Sequence, residues 1–387
     1  MASSGFAPPG RCSPVARVVV RGATLGWDGS PRGGHAAYVL QWLEGLRRAG
    51  HDVLYHDTVD GRGADVTAFR AIVERWWDPA RAAAILPSGE SAYGMTSAEV
   101  RAFAREAEVL ISLGATYRRE PEPWLEDVRP RVLVEQDPGF THLWADESDP
   151  RDIFGDHDIY FTVGANVGGP GSRIPTCGIG WRHTWNPVIL DWWKGGPPAR
   201  PTFTTVASLW SQSYQRFERE LWGPKATELL KFLDLPSKVS RPLALALEAG
   251  AGDEQLAQLR THRWEVEEAA RVAGSVDGYI AYVKGSAGEF SPVKGLYVGC
   301  ASGWFSDRSA AYLAAGRPVV TQDTGLTDVL PVGSGLHAVG DVEEAADAIH
   351  RIDADYDAES AAASAVAVEH FDSRRIVSRL LAAAGVA

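Results

Sequence analysis

Between Tyr297 and Gly325 the chain reads YVGCASGWFSDRSAAYLAAGRPVVTQDTG, and this stretch restricts the possible folds more than any other. After an apolar opening and a break at Ser302-Gly303, Ser306 is suited to cap AAYLAAG, which predicts a short helix ended by Gly316. Pro318-Val319-Val320-Thr321 then predicts a buried strand, with Gln322-Asp323-Thr324-Gly325 as the polar loop at its carboxyl end. Small alanines let such a helix lie close to the next strand. Free N–H groups at a helix start, with Arg308 beside them, suit a phosphate, and ligands of open α/β sheets collect at the carboxyl ends of strands. Taken alone, the same unit is also an ordinary helix-to-strand turn with an unoccupied cap.

The rest of the chain alternates in the same way. Ala16–Arg21 predicts a first buried strand, residues 22–34 a glycine-rich loop, His35–Ala49 an amphipathic helix ended by Gly50, and His51–Tyr55 the start of a second strand. This βαβ opening has neither G-x-G-x-x-G nor the G-K-[ST] of a P-loop, so it supports neither a dinucleotide fold nor an NTPase. Further strands are expected at Ala82–Leu86, Val109–Leu113, Arg131–Glu135 and Ile159–Val163, with a helix at Ser97–Arg105 behind Thr96. Gly195-Gly196-Pro197-Pro198-Ala199-Arg200-Pro201 reads as a linker. Beyond it strands are expected at Phe203–Val206 and Pro242–Leu247. Helices are expected at Lys225–Leu233, Asp253–His262, Asp341–Ile352 and Ser373–Ala384, while Gly278–Val283 fits helix or strand. The expected division is a flexible tail at 1–15, an acceptor-binding unit at 16–194, a linker at 195–201, a nucleotide-sugar unit at 202–368, and a final helix at 369–387 that crosses back.

At 387 residues the chain exceeds the roughly 250–300 at which single cores stop growing, so two domains are expected. A formal net charge of −12 argues against a general nucleic-acid or anionic-membrane surface, though not against a local phosphate site. Cys12, Cys177 and Cys300 are too dispersed for a metal pair, and a reduced, cytoplasmic setting is the simplest expectation. The first residues lack the apolar core of a signal peptide, and no run approaches the roughly 18 apolar residues of a membrane span.

The ending A-A-G-x-P-V-V before a polar loop resembles the donor-site unit of GT-B glycosyltransferases. The longer phrase SGWFSDRSAAYLAAGRPVVTQDTG resembles a sparsely characterised bacterial group of them, as do Gly288–Lys294 (GEFSPVK) and Lys231–Pro236 (KFLDLP). Together these cover about Trp222–Gly325, and Gly33-Gly34-His35 with R-R-A-G-H-D-V resembles the first GT-B unit. The resemblance implies an α/β fold of two Rossmann-like domains around a cleft. It also implies transfer of a sugar from a nucleotide diphosphate, UDP or TDP, to a small-molecule acceptor such as a bacterial natural product. The enzyme would work as a monomer or homodimer, with the donor as co-substrate and no further cofactor. A nucleotide-sugar epimerase of the same fold and a non-catalytic partner of another transferase are the alternatives. Residues 301–316 lack the paired Glu of the commonest retaining GT-B enzymes, and Cys300 or Ser302 stands where the plant-type donor box begins with His. No motif therefore fixes the stereochemical outcome.

By match to the group's pattern, Ser306, Asp307, Arg308 and Ser309 would meet the diphosphate, with the Asp307 carboxylate turned toward the protein to avoid repelling it. Gln322, Asp323 and Thr324 would hold sugar hydroxyls, although Asp323 also suits a turn before Thr-Gly. Ser286, Gly288, Glu289, Phe290 and Lys294 would lie at base or ribose, and Lys225 would reach a phosphate or sit solvated at a helix start. Two residues are candidates for the base that activates the acceptor: His35, after the glycine loop, and Asp137, in the turn after Arg131–Glu135; His142 is a weaker third. Gly33, Gly34, His142, Trp144 and Trp181 are the candidate acceptor-side residues, with Trp185 another aromatic near the predicted loop ends; His183 reads as structural. Asp156-His157-Asp158 precedes a strand, the wrong end for a metal-holding D-x-D, and Asp353, Asp355 and Asp357 lie in a polar surface segment. With no H-E-x-x-H either, no essential metal is expected.

Overall fold

The computed structural model describes residues 16–26, 29–59, 61, 63–114, 125, 127–209, 214–248 and 252–386. The expected tail at 1–15, with Cys12, lies outside them. Among the described residues two large sheets form. The first holds β1 (Arg17–Arg21), β2 (Asp52–Thr58), β3 (Ala82–Ile85), β4 (Ser91–Gly94), β5 (Val109–Leu113), β6 (Arg131–Glu135), β7 (Ile159–Thr162) and β8 (Arg182–His183). Their order is 4-3-2-1-5-6-7-8, parallel except at the β3–β4 edge. The second uses β9 (Phe203–Ala207), β12 (Leu243–Leu247), β13 (Glu265–Glu268), β14 (Gly288–Ser291), β15 (Val319–Gln322) and β16 (Leu336–Val339), all parallel in the order 13-12-9-14-15-16. A small hairpin, β10 (Gln215–Phe217) with β11 (Glu220–Trp222), stands apart.

Alternation along the strands explains the layers. On β1, Val18 and Val20 face the opening helix, Gly33–Arg48, through Val39, Trp42 and Leu43, while Val19 joins Leu54, Val100 and Phe103 on the other face. In the second sheet Leu243, Leu245 and Leu247 pack with Phe232, Ile349 and Ile352, whereas Ala246 meets Ala269 and Tyr282 opposite. The chain leaves β1 for β2 on one side and returns to β5 on the other, and β9 stands likewise between β12 and β14. Each sheet thus has a crevice at a switch in strand order, and the two crevices open toward one another.

Several elements differ from expectation. The opening helix begins at Gly33, two residues early, and Gly278–Val283 is helical within Val276–Gly285, where the Ser275 side chain accepts from Gly278 N–H and Tyr279, Tyr282 and Val283 share the buried face. The apolar opening of the organising stretch belongs to a short helix, Gly295–Gly299. The organising helix itself spans Asp307–Ala314 behind a Ser306 cap, and Thr96 with Glu99 forms a full capping box at Ser97–Ala104. No helix among the described residues is long and apolar enough to cross a membrane.

The two sheet units are joined closely. The last helix, Ser373–Ala383, lies on the opening helix, where Val377 and Leu380 bury against Trp42 and Leu46. Main-chain bonds also cross: Ala165 and Asn166 N–H donate to the carbonyls of Gly303 and Ser302 at 3.3 and 3.1 Å, and Val188 N–H to Phe371 at 2.8 Å. Gly303 adopts φ +68° in this seam, which favours glycine. Gly33 is pressed still harder, since an added Cβ would stand 2.1 Å from the Ser275 carbonyl and 2.5 Å from that of Ala273. Gly33→Ala is therefore expected to lower stability by about 1–3 kcal/mol, the range for overpacking, while Gly171→Ala, with open space around it, is neutral. Equal urea midpoints for wild type and Gly33→Ala would contradict this docking of the halves.

Candidate active site

A cleft of about 1900 Å³ runs between the carboxyl ends of the two sheets. Its first wall comes from Gly22 and Ala23 after β1, Gly114 after β5, Gln136 and Asp137 after β6, and the opening helix with Gly33, Gly34, His35 and Tyr38. The second wall comes from Ser208 after β9, Glu248 after β12, the turn after β13, and Lys225, Lys294, Trp304, Asp307 and Arg308. Arg32 and Glu248 pair across the mouth at 2.9 Å.

Three cations converge on the second wall, and their partners differ. Arg308 is nearly buried; its guanidinium bonds Glu289 through Nε, the Val206 carbonyl at 2.8 Å and Ser291 Oγ at 2.7 Å. These bonds anchor it beneath the cleft, so it contributes charge there more than free N–H groups. Lys294 Nζ donates to Asp137 at 2.7 Å. Lys225 has no carboxylate partner among the described residues; its Nζ sits 5.6 Å over the Trp304 ring. Burial, then the charges of Arg308 and Lys294, lower the Lys225 pKa to about 7. Arg308 and Lys294 are each paired with a carboxylate, and Glu289 and Asp307 oppose the shift, so Lys225 is the cation here best suited to an added anion. Asp307 occupies the first position of the organising helix and faces the cleft rather than turning toward the protein. Burial raises its pKa, opposed by Arg308.

On the first wall, His35 opens to the cleft. Burial between the walls, then the charge of Arg32, lowers its pKa to about 4, opposed by the Ala23 carbonyl. More than a third of the residue still reaches solvent, so this is the dehydration of a deep cleft and not of a core. Asp137 is committed differently: besides Lys294, it accepts from the Tyr297 hydroxyl, so both partners come from the opposite unit.

The remaining expected site residues fall on two sides. Gly33, Gly34, Trp144, Lys225, Lys294, Asp307 and Arg308 line the cleft. Ser306 caps the organising helix, accepting from Arg308 N–H at 3.2 Å. Ser286 is tied to Thr204 and the Tyr282 carbonyl inside the second unit, Gly288 lies against the Phe203 ring, and Phe290 packs with Phe232 and Trp264. Glu289 and Ser309 are buried. Gln322 bonds Val293 N–H and Glu228, and Thr324 the Trp304 carbonyl, so neither lines the cleft. Asp323 accepts from Gly325 and Leu326 N–H at 2.8 and 2.7 Å, the turn-forming role. His142 is fully buried, its Nδ1 2.8 Å from the Pro175 carbonyl and its ring against Trp181 and Phe154; Trp181 bonds the Thr176 carbonyl. Both are packed behind the first wall rather than on it. Tyr38 and Tyr279 reach the cleft unanticipated; Tyr38 had a signal, one helical turn after His35, and Tyr279 had none. Among the described residues no three His, Cys, Asp or Glu gather as metal ligands.

No protein-family model matches the chain, and no curated protein matches it in sequence. Solved structures do match in shape. An α-glucosyltransferase in complex with UDP-glucose and DNA containing an abasic site aligns with TM-score 0.59 at 11% identity, covering 96% of this chain and 100% of that one. The Anabaena protein Alr3699/HepE in complex with UDP-glucose aligns with TM-score 0.55 at 12% identity, covering 95% and 99%. An α-glucosyltransferase in complex with UDP aligns with TM-score 0.58 at 10% identity, again covering 95% and 99%. With the two parallel sheets and the cleft between their carboxyl ends, these likenesses show that the chain has the GT-B fold.

Proposed function

We propose that the protein is a glycosyltransferase moving a sugar from a nucleotide diphosphate, UDP or TDP, to a hydroxyl of a small-molecule acceptor, such as a bacterial natural product. The observation that carries this reading is Lys225, a cation in the cleft with no carboxylate partner among the described residues, beside Arg308, Lys294 and the start of the organising helix. A diphosphate supplies the counter-charge this site lacks. The similar structures with UDP or UDP-glucose support the same class of donor. One of them also holds DNA, but a net charge of −12 disfavours a polyanionic acceptor here.

In this reading Lys225 and Lys294 grip the diphosphate, with Arg308 adding charge from below. They stabilise the negative charge that grows on the leaving phosphate as the bond to the sugar breaks. His35, on the opposite wall, takes the proton from the acceptor hydroxyl. No metal is needed, because lysines neutralise the leaving group.

A thermal-shift series with UDP, TDP and GDP tests the donor site. A diphosphate at a hundred times its dissociation constant stabilises the folded state by about 2.7 kcal/mol, so one of the three is expected to raise the melting temperature selectively. No shift with any of them at millimolar concentration would remove the donor site from this cleft.

A further inference from the structure

One polar group in the cleft has no part in the steps above. Tyr38 lies on the opening helix, its ring edge-on to His35 at 6.3 Å. The residue is 9% exposed, and its Oη is buried with no hydrogen-bond partner among the described residues. A buried hydroxyl without a partner is unfavourable, and phenylalanine would fill the same space without that penalty. The hydroxyl is therefore suited to a group that arrives with a ligand.

The surroundings say which kind of group. Burial first, then the charges of Asp307 across the cleft and Glu135 at the end of β6, keep the phenol protonated, so Tyr38 faces the cleft as a donor. Asp307 bears in the same way on Tyr279, which also lines the pocket. A phosphate oxygen placed against Asp307 would be repelled. A sugar hydroxyl would not be, because it can donate to the carboxylate while a ring oxygen or neighbouring hydroxyl accepts from the phenol. The cations that suit a diphosphate stand at the same helix start.

Resting on the donor reading above, we propose that Tyr38 and Asp307 form the subsite for the transferred sugar, the Tyr38 phenol donating to a sugar oxygen and the Asp307 carboxyl accepting from a sugar hydroxyl.

Calorimetric titration of the full chain with UDP and with UDP-glucose tests this. Tyr38→Phe is expected to leave UDP affinity unchanged and to weaken UDP-glucose by about three- to tenfold, the worth of one neutral hydrogen bond. The ligand-free variant should be as stable as wild type or more so, since no internal bond is lost. Equal weakening toward UDP and UDP-glucose would move the phenol to the nucleotide and overturn the proposal. Unchanged affinity for both would overturn it too, as would a loss of ligand-free stability that accounts for the weaker binding. A wild-type protein that binds neither UDP nor UDP-glucose would overturn the UDP donor reading itself, an outcome separate from the role of Tyr38.

Discussion

Replacing His35 by alanine is expected to lower turnover by about 10²–10⁴ while UDP affinity stays nearly unchanged. The ring lines the cleft on the wall opposite the cations, where an imidazole would meet a hydroxyl on the acceptor side. With its pKa lowered to about 4, the ring is neutral throughout the neutral range, and it is a weaker base than a free imidazole. The acid limb of the pH–rate profile should accordingly fall near pH 4, well below the 6.5 of a free imidazole, with activity lost as the ring protonates below that point. Asp137→Asn supplies the contrast. Asp137 is already paired with Lys294 and Tyr297 of the other unit, so its loss should disturb the cleft's closure more than proton transfer. Full turnover in His35→Ala together with the large loss in Asp137→Asn would exchange the two roles. Full turnover in both would point to substrate-assisted transfer.

Lys225→Ala should weaken UDP binding by about 1.5–3 kcal/mol, the worth of a charge-assisted hydrogen bond, with the fold intact. A pH dependence should accompany it. With the Lys225 pKa lowered to about 7, the charged form that would grip a phosphate prevails below pH 7 and is lost above it. Wild-type affinity for UDP should therefore decline as pH rises from 6 to 8.5, and the Lys225→Ala variant should lack that part of the slope. A variant that binds UDP as tightly as wild type at pH 6 would show that the diphosphate lies elsewhere.

The sequence carried the scaffold well because strands and caps are local. Val18–Val20 and Leu243–Leu247 are apolar runs between turn residues, and Thr96 with Glu99 and Ser306 with its helix carry their capping chemistry within a few positions. The cleft was only partly legible. A polar residue at a strand end turns to ligand or to core according to what lies on the next element. Gln322, at the end of β15, bonds Glu228 from a distant helix, and its own neighbours give no sign of that. Asp323 was readable both ways, and the Gly325 and Leu326 N–H groups take up its Oδ1 oxygen. Asp307 faces the cleft that Tyr38 and Tyr279 also line, a juxtaposition made by the docking of the two sheets. His142 and Trp181 pack ring against ring, tilted, with their polar atoms on the Pro175 and Thr176 carbonyls, an arrangement that helical or strand periodicity cannot encode.

The main-chain bonds from Ala165 and Asn166 to the Gly303–Ser302 segment have a kinetic meaning. They tie the first sheet unit to the loop leading directly into the organising helix, so opening the cleft wide would break backbone pairing as well as the Asp137–Lys294 contact. Domain closure would then be a poor candidate for the slow step of the proposed transfer. On the proposed function, the nucleotide diphosphate would leave a site beside Lys225, Lys294 and Arg308, and its escape would be governed by charge. Added salt screens such attraction, so it should quicken product release and raise turnover under saturating substrate, even as it loosens the hold on the donor.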